Sequence, residues 1–188
     1  MSRYSKSKEK VMLDCETLSL DIFTAPMISL GAVKFMASGE ITDKFQVNID
    51  VHDLINEYGF KANKETVKWW MDNHPEVLKT LQTNTQSLSD AISMFEEWYG
   101  DSSLETHTNG IDFDFPIIKR HFQVVGKTVP WKYWDQSDFR TVIKIFGLNN
   151  QEIRNKSDLI YHDPVHDCIS QIETLTTILK PIWNPEDD

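Results

Sequence analysis

Cysteine is scarce in this sequence: Cys15 and Cys168 are the two thiols in 188 residues. Two cysteines so far apart make no disulfide framework and no C-x-x-C pair, so they read as reduced, buried small residues. Long apolar runs are missing too, and none approaches the ~20 residues that a membrane span requires. The N-terminal segment, Met1 to Lys10, is polar and basic and leads straight into an apolar run. No secretory leader is therefore expected, and the chain reads as cytoplasmic. A basic surplus is also lacking, because 19 Lys and Arg stand against 29 Asp and Glu, a net charge of −10. That argues against gripping a long polyanion through a broad basic face. It leaves room for handling a single terminus where a bound cation supplies the positive charge. With no repeat, low-complexity stretch or linker, residues 1–188 read as one domain, with 1–9 and 181–188 as tails.

What is present falls into two regimes. Residues 10–15, 27–35 and 41–49 are apolar or alternating runs separated by turns at 21–26 and at Ser38-Gly39-Glu40. Three such strands in succession predict an antiparallel meander. Helical spacing then takes over. Lys64 to Asn73 reads as a helix stopped at His74-Pro75, with Pro75 opening another short one. Ser87-Leu-Ser-Asp90 is a capping box for a helix through Leu88, Ala91, Ile92, Phe95 and Trp98 to about Tyr99. A strand is expected over 104–109, a helix from Pro116 to about Phe122, and a helix from Ser137 or Asp138 to Phe146. Residues 128–137 carry no clear pattern, and 148–161 read as loop with a short helical piece. Asp163-Pro164 caps a last helix to Lys180. The order βββ-α-α-α-β-α-α-α predicts an α/β fold, a mixed β-sheet flanked by α-helices.

Three acidic stretches carry the chemistry. Asp14 and Glu16 end the first apolar run at i and i+2, and on a strand that spacing turns both carboxylates to one face. Two like charges on one face need solvent, a basic partner or a cation, and all-oxygen donors suit hard ions such as Mg²⁺ or Mn²⁺. A strand end bending into solvent is the competing account. Asn109-Gly-Ile-Asp-Phe-Asp114 places an acid where a strand breaks and a helix begins, near free backbone N–H groups. His162-Asp163-Pro-Val-His-Asp167 sets a histidine on the loop before the last helix and an acid one turn inside it.

Taken together and in this order, D-x-E at Asp14 and Glu16, the G-x-x-F-D-F-P text and H-x-x-x-x-D resemble the DEDDh 3′–5′ exonucleases. These enzymes have a ribonuclease H-like fold and include polymerase proofreading subunits, oligoribonuclease and ribonuclease T. The finer text (D-x-E-T, V-K-W-W, G-I-D-F-D-F-P-I, D-F-R-T, H-D-P-V-H-D-C) resembles the phage exodeoxyribonuclease A type and related bacterial 3′–5′ exoribonucleases. The likeness spans roughly residues 10–180. It implies that Asp14, Glu16, Asp114 and Asp167 hold two Mg²⁺ or Mn²⁺ and that His162 is the general base. Asp114 is preferred over Asp112 by the F-D-F-P text, and His162 over His166 by its distance from Asp167. The implied reaction is hydrolysis of phosphodiester bonds from the 3′ end of single-stranded DNA or RNA. One ion lowers the pKa of a water and the other stabilises the leaving 3′-oxygen. Several such enzymes are dimers, which makes a homodimer compatible with the family.

Substrate contacts are assigned on the same basis to Thr17 and Leu18 after the acidic strand, to Trp70 for base stacking, and to Arg140 for a phosphate. Adjacent aromatics on a helix point about 100° apart, so one of Trp69 and Trp70 is core and at most one meets substrate. Lys119, Arg120, His121, Lys127 and Lys132 read as a solvated helix face or a steering patch. Two rival functions stand beside this reading. One is a non-catalytic ribonuclease H-like module that binds nucleic acid or protein. The other is a zinc site from Cys15, His162, His166 and Cys168, opposed by the strand geometry that turns Cys15 away from Asp14.

Overall fold

Five strands make the sheet: β1 (Lys10–Thr17), β2 (Met27–Phe35), β3 (Ile41–Asn48), β4 (Glu105–Thr108) and β5 (Gln136–Asp138). Their spatial order is β3-β2-β1-β4-β5. The protein is seen here in a computed structural model that describes residues 8–100, 104–148 and 159–180. The expected meander is present, with β1–β2 and β2–β3 antiparallel, while β4 and β5 add parallel pairs. β1 lies in the middle, so Val11, Met12 and Leu13 are fully buried, which explains a continuous apolar run in place of alternation. The strand runs two residues past its predicted end and carries Glu16 and Thr17 inside the ladder. A register shift between Glu16 and Thr17 bends it there.

Helices cover both faces. On one side lie α1 (Val51–Asn56), α2 (Lys64–Asn73), α3 (Pro75–Leu81), α4 (Leu88–Tyr99) and α5 (Asp114–Val124). Their core includes Val11, Leu13, Cys15, Trp70, Phe95 and Phe122. On the other side, α6 (Phe139–Ile145) and α7 (Pro164–Leu179) pack on Met12, Val33 and Phe35, with Cys168 of α7 in the same core. Residues of β1 therefore sort by parity, and Asp14 and Glu16 share the α7 side of the strand with Met12.

Three elements differ from expectation. α1 was not foreseen, although Asp50 caps it by accepting N–H bonds from His52 and Asp53. α5 begins at Asp114, not Pro116, which puts the carboxylate in the first turn. β5 emerges from the unpatterned stretch because pairing with β4 imposes it on a Gln-Ser-Asp segment. Most of the expected loop at 148–161, and both tails apart from residues 8 and 9, lie outside the described residues.

Two local devices set the site elements on the sheet. At Gly31 in β2, a Cβ would lie 2.6 Å from the Pro164 carbonyl carbon, so only glycine lets the start of α7 come this close. At α5, His121 accepts the Met27 N–H on Nε2 at 3.0 Å, while Nδ1 lies 2.8 Å from the Ile117 carbonyl oxygen. Nδ1–H donates there, so the buried ring is neutral, and burial lowers its pKa to about 4. The unfolded chain therefore takes up a proton before the folded one, and stability falls as pH drops from about 6.5 towards 4. Between pH 7 and pH 5 the advantage of wild type over His121→Gln should shrink by about 2 kcal/mol in urea unfolding. A constant difference would show that His121 is not held neutral.

Candidate active site

The site forms where β1 and β4 end side by side. Asp14 points towards α7, where Gln171 Nε2 donates to its Oδ1 at 3.4 Å. Glu16, one strand repeat further, has Oε1 3.5 Å from His162 Nδ1. Asp114, at the start of α5, reaches back to β1: its Oδ1 accepts both the Cys15 N–H and the Cys15 S–H, each at 3.3 Å. Asp167, in the first turn of α7, accepts the His162 backbone N–H on Oδ2 at 3.3 Å. Three segments distant in sequence thus bring four carboxylates and one imidazole together. Asp112 is exposed outside the cluster, and His166 uses Nδ1 to accept the Ile160 N–H.

Such a cluster is electrostatically costly. Burial holds the Asp14 carboxyl well above the usual carboxylate range, and Asp114, Glu16 and Asp167 push it the same way, opposed by the Gln171 hydrogen bond. Asp114 is raised to about 6, chiefly by burial, against the Cys15 hydrogen bonds and the charge of Arg140. Burial and the same acids raise the Cys15 thiol, which keeps it a donor. Glu16, His162 and Asp167 have ligand atoms within 4.8 Å of one another, the spacing a cation could bridge. The zinc grouping does not assemble, because Cys168 donates instead to the Met12 carbonyl on the α7 side.

Beside the acids opens a pocket of about 480 Å³ lined by Glu16, Thr17, Leu20, Asn63, Thr66, Trp69, Phe113 and His162, among others. Two of the sequence-based substrate contacts, Trp70 and Leu18, are buried, although Trp70 still lines the pocket. Trp70 is 2% exposed and its indole N–H donates to the Thr17 carbonyl, so it props β1 against α2; Trp69, 42% exposed, carries the accessible ring. Leu18 is core, tied by backbone bonds to Pro26 and Asn63, while Leu20 projects at the pocket. Which of two near neighbours faces outward depends on the tertiary neighbours, which short motifs do not record. Thr17 does line the pocket, with its hydroxyl donating to the Ser19 carbonyl. Arg140 does not; Nη2 donates to the Asn109 carbonyl at 2.7 Å and secures the turn that delivers Asp114. Of the basic patch, His121 is core and Lys127 pairs with Glu96. Gln171 was missed, although its i+4 spacing from Asp167 marks the same helix face.

In helices among the described residues, none is long and apolar enough to cross a membrane. The fold matches that of Escherichia coli exonuclease I, solved metal-free with single-stranded DNA (TM-score 0.68, 9% identity). The match covers 93% of this chain, which spans 40% of that one. It also matches Schizosaccharomyces pombe Pop2p in its Mg²⁺- and Mn²⁺-bound form, with TM-score 0.66 and 14% identity over 95% of this chain and 85% of that one. By sequence the chain is 24% identical over 195 residues to the exodeoxyribonuclease of Enterobacteria phage T4, covering 87% of this chain and 86% of the relative. Residues 9–179 match the 3′–5′ exoribonuclease Rv2179c-like domain. The chain belongs to that family, and with it to the hydrolytic 3′–5′ exonucleases of ribonuclease H-like fold.

Proposed function

We propose that this exonuclease removes nucleotides from the 3′ end of single-stranded DNA or RNA, with Asp14, Glu16, Asp114 and Asp167 holding two Mg²⁺ or Mn²⁺ and His162 as general base. The observation that carries the reading is the convergence of these five side chains beside a pocket of about 480 Å³. The donor chemistry fits the ions: every carboxylate oxygen is a hard ligand, and the repulsion that raises Asp14 is relieved by positive charge. When bound, such ions act as Lewis acids and lower the pKa of a coordinated water.

The chain's own residues supply the rest. His162, with Nδ1 turned to Glu16, takes the proton of the attacking water at Nε2. Asp167 holds the His162 backbone by accepting its N–H, and Gln171 orients Asp14. The exposed ring of Trp69 offers a stacking face for the terminal base, with Leu20 and Phe113 as apolar walls. A terminus fits this enclosure better than a continuing strand, in keeping with a net charge of −10 that gives no broad polyanion track.

The test is a time course on 5′-labelled single-stranded DNA and RNA of one sequence with Mg²⁺ or Mn²⁺. A ladder that shortens from the 3′ end, and that is absent with Asp14→Ala, is the expected result. The faster substrate identifies the preferred sugar. No cleavage of either by folded, metal-supplied protein would sink the proposal.

A further inference from the structure

We infer that His74 is a positioning residue for the general base: it forms the rear wall of a ring cage that holds the His162 imidazole over Glu16. This rests on the reading of His162 given above. His162 sits on the loop before α7 with a left-handed backbone (φ 62°), a conformation that a non-glycine residue keeps only when its surroundings impose it. Three rings surround its imidazole. Trp69 lies 5.1 Å away at 87°, Trp70 5.5 Å at 73°, and His74 4.6 Å at 63° between ring planes. All three come from α2 and the residue that ends it, far from His162 in the sequence.

The three walls differ in what else they do. Trp70 is buried and anchored to the Thr17 carbonyl, so it belongs to the core. Trp69 lines the pocket with an exposed ring, and Trp70 also lines it. His74 is not among the pocket-lining residues, yet it makes the nearest ring contact with His162. Its position is fixed by the helix junction: its N–H donates to the Trp70 carbonyl at 2.9 Å, and Pro75 starts α3 directly after it. A rigid junction therefore backs a side chain mounted on a loop. The imidazole packs edge to face on its neighbours, a geometry that aromatic rings favour. Removing the rear wall lets the His162 ring rotate away from Glu16, and small misplacements of a proton acceptor are costly in rate. Because His74 meets the base and not the substrate, its loss should appear in kcat and leave KM alone.

Steady-state kinetics on a 5′-labelled single-stranded oligonucleotide with saturating Mn²⁺ test this in the full-length chain. His74→Ala is expected to lower kcat about tenfold with KM within twofold of wild type. His74→Phe, which restores a ring without the imidazole nitrogens, should recover most of that loss. Trp69→Ala, which removes a cage wall and a stacking face together, should also raise KM about tenfold, unlike His74→Ala. NMR of the His162 ring protons provides a second readout that does not depend on turnover. The indole ring-current shift that this packing predicts for wild type should diminish in His74→Ala and persist in His74→Phe. Unchanged kcat in His74→Ala, an equal loss in His74→Ala and His74→Phe, or a loss confined to KM would each overturn the inference. If His162→Ala itself turns over like wild type, the general-base reading falls and takes this inference with it. If His162→Ala is inactive while His74→Ala matches wild type, the inference alone falls.

Discussion

Asp14→Asn is expected to abolish turnover and, in the metal-free protein, to raise the melting temperature. The two effects have one cause. Asp14 is buried among Asp114, Glu16 and Asp167, all of which disfavour its charge, so its carboxyl titrates well above the usual range. A raised folded-state pKa stabilises the fold only at low pH. The contribution is full below the ordinary carboxylate pKa, and it is lost as pH rises through the folded value. At neutral pH without metal the ionised cluster is therefore a liability, and the neutral asparagine amide removes part of it. An increase of a few degrees in EDTA is expected, since about 1 kcal/mol shifts a chain of this length by roughly 2–4 °C. For catalysis the same change removes a hard oxygen ligand and one negative charge. Metal assistance contributes several kcal/mol to the transition state, so the rate should fall by at least about 10³. Calorimetry in EDTA and with Mn²⁺, alongside the gel assay, measures both. Unaltered turnover, or a lower melting temperature without metal, would contradict the electrostatic account.

The second large effect is at His162. Replacing it by alanine removes the proton acceptor and leaves the four carboxylates in place. Loss of a general base costs typically 10²–10⁴ in rate, so kcat should drop within that range while Mn²⁺ affinity and KM stay near wild type. The contact between Nδ1 and Glu16 Oε1 at 3.5 Å makes the comparison informative, because a ligand role would show as weakened metal binding instead. Titration calorimetry with Mn²⁺ on His162→Ala separates the two. A metal affinity lowered in step with kcat would reassign His162 from base to ligand.

Much of this arrangement was legible in the sequence because it follows from periodicity. The i, i+2 spacing of Asp14 and Glu16 dictates a common strand face whatever the fold, and the structure turns both to the α7 side. The Asp163-Pro164 cap fixes where α7 starts, and hence that Asp167 lies in its first turn. The preference for Asp114 over Asp112 came from the family's F-D-F-P text, and that for His162 over His166 from the family's H-x-x-x-x-D spacing. What stayed hidden depends on tertiary partners. Trp69 and Trp70 are equivalent by composition, and only the docking of α2 on the Thr17 carbonyl sends one inward. Leu18 and Leu20 differ for the same reason. β5 has no alternation to read, since a three-residue strand takes its conformation from β4. His74 looked like a helix stop, and its contact with His162 spans two segments that no local pattern links.

The central claim is that four carboxylates from β1, α5 and α7 form one divalent-ion site. Its most direct test is Mn²⁺ titration by calorimetry on the wild-type chain and on Asp114→Asn, whose carboxyl lies against Cys15 on β1. The account predicts two Mn²⁺ per wild-type chain, a rise in melting temperature on binding, and loss of at least one ion in the variant. An equal stoichiometry and affinity in both proteins, or no binding to the folded wild type, would contradict it.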